Sequence, residues 1–146
     1  MKTKLTPVQG SLLFGTILLF LAGIVGLLAA RHPTQAPKVE AQQLVVQDFA
    51  GDPSKEVNVQ LYTFPAGMGV PWHIHPDAHE IAYILQGTLA FERAGEKPRE
   101  IKAGQAEYLL PNVVHRGINN GTEPVKLVAV RIKPKNKPIT EEVPAP

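Results

Sequence analysis

The chain contains no cysteine. That excludes a disulfide framework, a cysteine-ligated zinc site, a thiol nucleophile and a lipidated-cysteine anchor. Aromatic residues are scarce at 6%, with a single tryptophan, and charged residues make up 19%. The formal charge of +2 comes from Lys2, Lys4 and Arg31, which face no acid in their stretch of chain. From His32 onward no positive excess remains, and no lysine–arginine cluster is interleaved with aromatics. Nucleic acid is therefore excluded as a partner. The 146 residues allow one domain of ordinary size.

One stretch lacks charge altogether. Ser11–Ala30 is twenty residues without a single charge, preceded by Lys2 and Lys4. As a helix rising ~1.5 Å per residue it would span ~30 Å, the thickness of a bilayer core. A cleaved signal peptide is the competing reading, but it calls for an apolar region of about 7–15 residues and a small-residue cleavage site. Here Ala29-Ala30 runs into Arg31-His32-Pro33, which favours an uncleaved anchor. Positive charge at the N-terminal end puts residues 1–10 in the cytoplasm and the rest of the chain outside it, in a periplasm-like space. Residues 31–42 read as a tether, and residues 134–146, with four prolines, as an irregular tail. Lys133, Lys135 and Lys137 could touch acidic lipid, though a solvated tail is the simpler reading.

The stretch 43–133 reads as all-β. Short β-rich runs alternate with turn residues, and none has helical periodicity over three turns. The predicted strands are 44–49, 57–64, 72–75, 81–86, 88–93, 100–102, 106–110, 113–116 and 125–132. Gly87 separates two of these runs so closely that they should form a hairpin. Many short, evenly spaced strands suggest a sandwich or a jelly-roll barrel.

Four of the five histidines lie between positions 73 and 115. His73 and His75 are two apart on a strand-like run, so both face the same way. Glu80 follows a Pro76-Asp77 turn signal, and His115 lies on a later run. If that face lines the barrel, alongside Ala82, Ile84 and Phe91, unpaired polar groups there would be costly. A divalent cation would give each lone pair a partner. Imidazole with carboxylate suits Fe, Mn, Ni, Co or Zn, and four ligands leave two octahedral positions open for substrate or O₂.

The spacing Gly67-x₅-His73-x-His75-x₄-Glu80-x₆-Gly87 resembles the first motif of the cupin family. Gly104-x₁₀-His115-x₃-Asn119 is similar to the second. The family usually has proline and glycine where this chain has Leu110 and Asn112, with Pro111 displaced by one. Asparagine tolerates positive φ, so Asn112 can stand in for the glycine. The resemblance implies a single jelly-roll cupin β-barrel, here preceded by one transmembrane α-helix. It implies one metal ion, Fe or Mn before Ni, Co or Zn, held by His73, His75, Glu80 and His115. It also implies a homodimer, for which open sheet edges give a physical reason. His79 is placed at the pocket rim, or behind Glu80 as an orienting partner. Trp72, Ile74, Tyr83 and Tyr108 are read as packing, and Arg116 as surface.

Three functions fit this reading. The first is a dioxygenase-like oxidoreductase acting on a small molecule outside the cytoplasm. In it Glu80 doubles as a base if the apolar pocket raises its pKa. The second is a non-oxidative isomerase or lyase using the metal as a Lewis acid. The third is a membrane-tethered ligand-binding or sensor module.

Overall fold

The structure, a computed structural model, describes residues 36–146. The apolar run Ser11–Ala30 and its flanks lie outside the described residues. Among the described residues no helix is long and apolar enough to cross a membrane.

Ten strands form two antiparallel sheets. They are β1 (Glu40–Asp48), β2 (Lys55–Phe64), β3 (His73–Ile74), β4 (His79–Gln86), β5 (Thr88–Arg93), β6 (Arg99–Lys102), β7 (Ala106–Leu109), β8 (His115–Ile118), β9 (Val125–Pro134) and β10 (Glu141–Glu142). One sheet has the order β1-β2-β9-β4-β7, the other β10-β3-β8-β5-β6. This is the jelly-roll arrangement the strand pattern implied.

Period-two alternation decides which side chains face in. On β4, Glu80, Ala82 and Ile84 are buried, while His79, Ile81 and Tyr83 are exposed. On β9, Val125, Leu127, Ala129, Arg131 and Lys133 point inward. Phe64, Ile84, Leu89, Phe91, Ile101, Leu109 and Leu127 fill the space between the sheets. Burying one such side chain contributes about 2 kcal/mol, which makes this cluster the main source of stability.

Four expectations need correction. The runs flanking Gly87 do not form a hairpin, because β4 and β5 belong to different sheets. A single residue is too short a loop for two strands to pair across. Gly87 instead turns the chain from one sheet to the other with φ +81°, and a Cβ there would lie 2.9 Å from Val125 Cγ2. Tyr83 and Tyr108 are not core packing; at 44% and 52% exposure they stand on the outer face. The tail is not wholly irregular, since β10 pairs with β3 through Glu141↔Ile74 and Glu142↔His73. Lys133 is no free tail charge either: it is buried, and its Nζ donates to Glu56 Oε1 and the Pro134 carbonyl.

Candidate metal centre

The strand pairing brings the histidines together. His73 on β3 lies directly opposite His115 on β8, and His75 follows just past the end of β3. All three rings are buried. Their centroids are 4.2 Å apart for His73–His115, 4.9 Å for His73–His75 and 5.1 Å for His75–His115. One potential ligand atom from each lies within 4.8 Å of the others.

The backbone fixes what those rings can offer. His73 Nδ1 donates to the Pro71 carbonyl at 2.8 Å, and His115 Nδ1 to the Val113 carbonyl at 2.9 Å. His75 Nδ1 donates to the Ile139 carbonyl at 2.6 Å. A ring whose Nδ1 carries the proton keeps its lone pair on Nε2. Three inward lone pairs thus face one another with no proton between them. Burial and the neighbouring ring push His115 down to about 4, and burial likewise lowers His73. Those two imidazoles therefore stay neutral, the form in which imidazole binds a metal.

Glu80 is also buried, but it stands at the side of the triad. Its Oε2 lies 2.8 Å from His75 Nε2 and 2.5 Å from Arg131 Nε. None of these three atoms has a well-directed hydrogen bond, although all are buried. Burial pushes the carboxyl pKa up, but the Arg131 guanidinium and the adjoining histidine rings hold it down to about 2. The raised pKa that a base at Glu80 would need is not what this environment provides. An orphaned carboxylate oxygen and an orphaned Nε2 beside two more imidazoles form a donor set that fits a divalent cation.

His79 lies at the rim, exposed, with Nδ1 2.6 Å from the Tyr108 hydroxyl and the two rings stacked at 6.0 Å. Arg116 is partly buried, with its guanidinium 4.8 Å over the Trp72 ring and paired with Glu92. Asn112 adopts φ 63°, as a stand-in for glycine should.

Arg131 and the C-terminal segment were not anticipated in the site. The signal for Arg131 was present: it is in phase with the inward Leu127 and Ala129 of β9. Ile139, whose carbonyl accepts the hydrogen bond from His75 Nδ1, lies 64 residues further on, and no local pattern announces it. His73, His115 and Glu80 open into a cavity of about 220 Å³.

Residues 60–131 match the family model described as cupin domain. The described residues form a small barrel of the cupin type. Solved structures agree on the fold. A double-stranded β-helix protein from Klebsiella pneumoniae is 19% identical, with 76% of this chain and 89% of that one covered at a TM-score of 0.60. A DMSP lyase from Ruegeria pomeroyi is 20% identical over 73% of this chain and 52% of its own, TM-score 0.58. An oxalate oxidase bound to the substrate analogue glycolate is 21% identical over 75% and 57%, TM-score 0.58. This chain thus spans about half the length of those two enzymes. No curated protein matches the sequence.

Proposed function

We propose that the protein is a membrane-anchored, metal-binding cupin that acts as a dioxygenase-like oxidoreductase on a small molecule outside the cytoplasm. The observation that carries this reading is the set of three buried imidazoles whose Nδ1 protons are all committed to backbone carbonyls. His73, His75 and His115 would hold the ion, with Glu80 beside them as the fourth ligand. When bound, Fe or Mn would supply Lewis acidity and access to O₂ chemistry; Ni, Co or Zn would supply the first alone.

The chain's own groups support that role. Arg131 keeps Glu80 anionic, which suits a metal ligand at the edge of the triad. Phe64, Leu89, Phe91 and Leu127 give the cavity an apolar wall. Charge-free Ser11–Ala30, with Lys2 and Lys4 before it, supports the anchor and its orientation.

A homodimer is part of the proposal. On the outer face of the β1-β2-β9-β4-β7 sheet, Val59, Val130, Ile81 and Tyr108 form one cross-strand row. Leu61, Val128 and Tyr83 form the next. Five strands at ~4.8 Å and a length of ~26 Å make a face of roughly 600 Å², near the ~800 Å² each partner buries in a standard interface. The two central rows carry no charge, so a second copy fits without desolvating ions.

The test is elemental analysis of the purified full-length chain, with oxygen uptake measured over a panel of small molecules. Stoichiometric Fe or Mn with substrate-dependent O₂ consumption supports the oxidoreductase. Metal with turnover but no O₂ consumption would favour an isomerase or lyase. Metal with ligand-dependent stabilisation and no turnover would favour a sensor module.

A further inference from the structure

The cavity beside the histidines is apolar on most of its wall, through Phe64, Ile84, Leu89, Phe91 and Leu127. At about 220 Å³ it has the volume of roughly seven waters at ~30 Å³ each, enough for a small organic molecule. Among the described residues that line it, Arg131 is the one cationic side chain. The acids there are Glu80 and, at the exposed end, Glu142.

Arg131 is 3% exposed and only partly satisfied. Nη1 donates to Gln60 Oε1 at 2.8 Å, and Nε abuts Glu80 Oε2 at 2.5 Å. The guanidinium stacks 5.4 Å above the Tyr62 ring, which fixes its plane. No hydrogen bond from Nη2 is found among the described residues. A guanidinium is a planar fork whose paired N–H groups match a carboxylate. Here Nε faces Glu80 and one Nη1 proton goes to Gln60, and the remaining donors, on Nη2 above all, belong to a group that lines the cavity. A residue serving solely as the counterion of Glu80 would leave those donors unused at some cost.

We infer that Arg131 reads the ligand of this cavity, and that the ligand is a small carboxylate with an apolar body. The carboxylate takes the free donors of Arg131, and the apolar body packs on the phenylalanine and leucine wall. This deepens the small-molecule reading above and rests on it for the location of the site. Charge arithmetic points the same way. Arg131 and Glu80 cancel, so a divalent ion on the histidines would leave a positive interior that an anionic ligand neutralises.

The experiment uses full-length protein in detergent, freed of metal with a chelator. Benzoate and its neutral isostere benzamide are titrated by calorimetry. Wild type should bind benzoate at least tenfold more tightly than benzamide. Arg131→Gln should abolish that preference while leaving benzamide affinity within twofold. Arg131→Lys should keep part of it. Glu80→Gln, which removes the competing carboxylate, should tighten benzoate binding severalfold. Absence of a preference in wild type, or a preference kept in Arg131→Gln, overturns the inference. If Arg131→Gln does not fold, unchanged or weaker benzoate binding by folded Glu80→Gln overturns it instead. Metal content is measured separately on protein as purified. Protein that carries no metal as purified would remove the metal reading, while a benzoate preference lost in Arg131→Gln would still leave Arg131 in its role.

Discussion

Asp77 and Asn112 hold each other across the two loops that carry the site. The Asp77 backbone N–H donates to Asn112 Oδ1 at 3.0 Å, and Asn112 Nδ2 donates to Asp77 Oδ1 at 3.1 Å. Both residues have positive φ, 53° and 63°. Asn112 N–H also donates to the His75 carbonyl at 3.3 Å. The loop after His75 and the loop before His115 are therefore locked together. Asn112→Ala should lose about 2 kcal/mol, from the left-handed backbone and two exposed hydrogen bonds. Asn112→Gly should lose less, since it keeps the backbone freedom. Urea unfolding of the two variants checks this, and equal losses would mean that the backbone conformation contributes nothing.

Removal of individual donors should separate ligands from neighbours. His73→Ala and His115→Ala should each abolish stoichiometric metal while the barrel remains folded, because the core cluster contains neither residue. Glu80→Gln should weaken metal binding more than His79→Ala, since Glu80 touches His75 and His79 lies at the rim with Tyr108. Elemental analysis of the four variants, with circular dichroism as the folding control, decides. Metal content equal to wild type in both histidine variants would refute the ligand assignment.

Acid should destabilise the metal-free protein in two stages. His115 falls from 6.5 to about 4 on folding, so the unfolded chain takes up its proton first. Stability should then decline as pH falls from about 6.5 to about 4, by about 3 kcal/mol for this residue. His73 shifts in the same direction and adds to the loss. Glu80 falls from 4.5 to about 2, so its contribution is complete above 4.5 and is lost as pH drops towards 2. Denaturant midpoints at pH 7.5, 6 and 5 test the first stage. A flat profile over that range would show that the rings are not buried as neutral groups.

Gly87→Ala should cost about 3 kcal/mol. The position combines φ +81° with a Cβ clash against Val125 Cγ2 at 2.9 Å and the Pro124 carbonyl at 3.2 Å. Left-handed backbone costs an alanine about 1–2 kcal/mol, and overpacking about 1–3 more. Gly95→Ala is the control, since it shares a positive φ and has nothing within 4 Å. A thermal melt in which the two variants shift equally would show that close approach plays no part.

Ile81→Arg should dissociate the proposed dimer without touching the cavity, because Ile81 is 47% exposed on the outer face, in register with Tyr108 and Val130. Light scattering on the detergent-solubilised chain reads the mass. An unchanged dimer would place the interface elsewhere.

The nine predicted strands appear because each pairs its alternation with a turn signal at its ends. The histidine spacing was equally legible, since two residues apart on a strand means one face. What sequence could not reveal was partnership. Gly87 announces a turn but not whether the chain pairs with itself or crosses to the other sheet. Arg131 reads locally as a charge near the end of a β-run, and its burial depends on Glu80 facing it from β4. Glu141–Glu142 is too short and too close to proline to register as a strand; it forms because β3 offers it an edge.

The hydrogen bond from His75 Nδ1 to the Ile139 carbonyl has a bearing on biogenesis. A ribosome would have to release residue 139 before the ring acquired a fixed tautomer. Until then His73 and His115 would face a third imidazole free to present either nitrogen, and an ion met early would find two committed donors and one undecided.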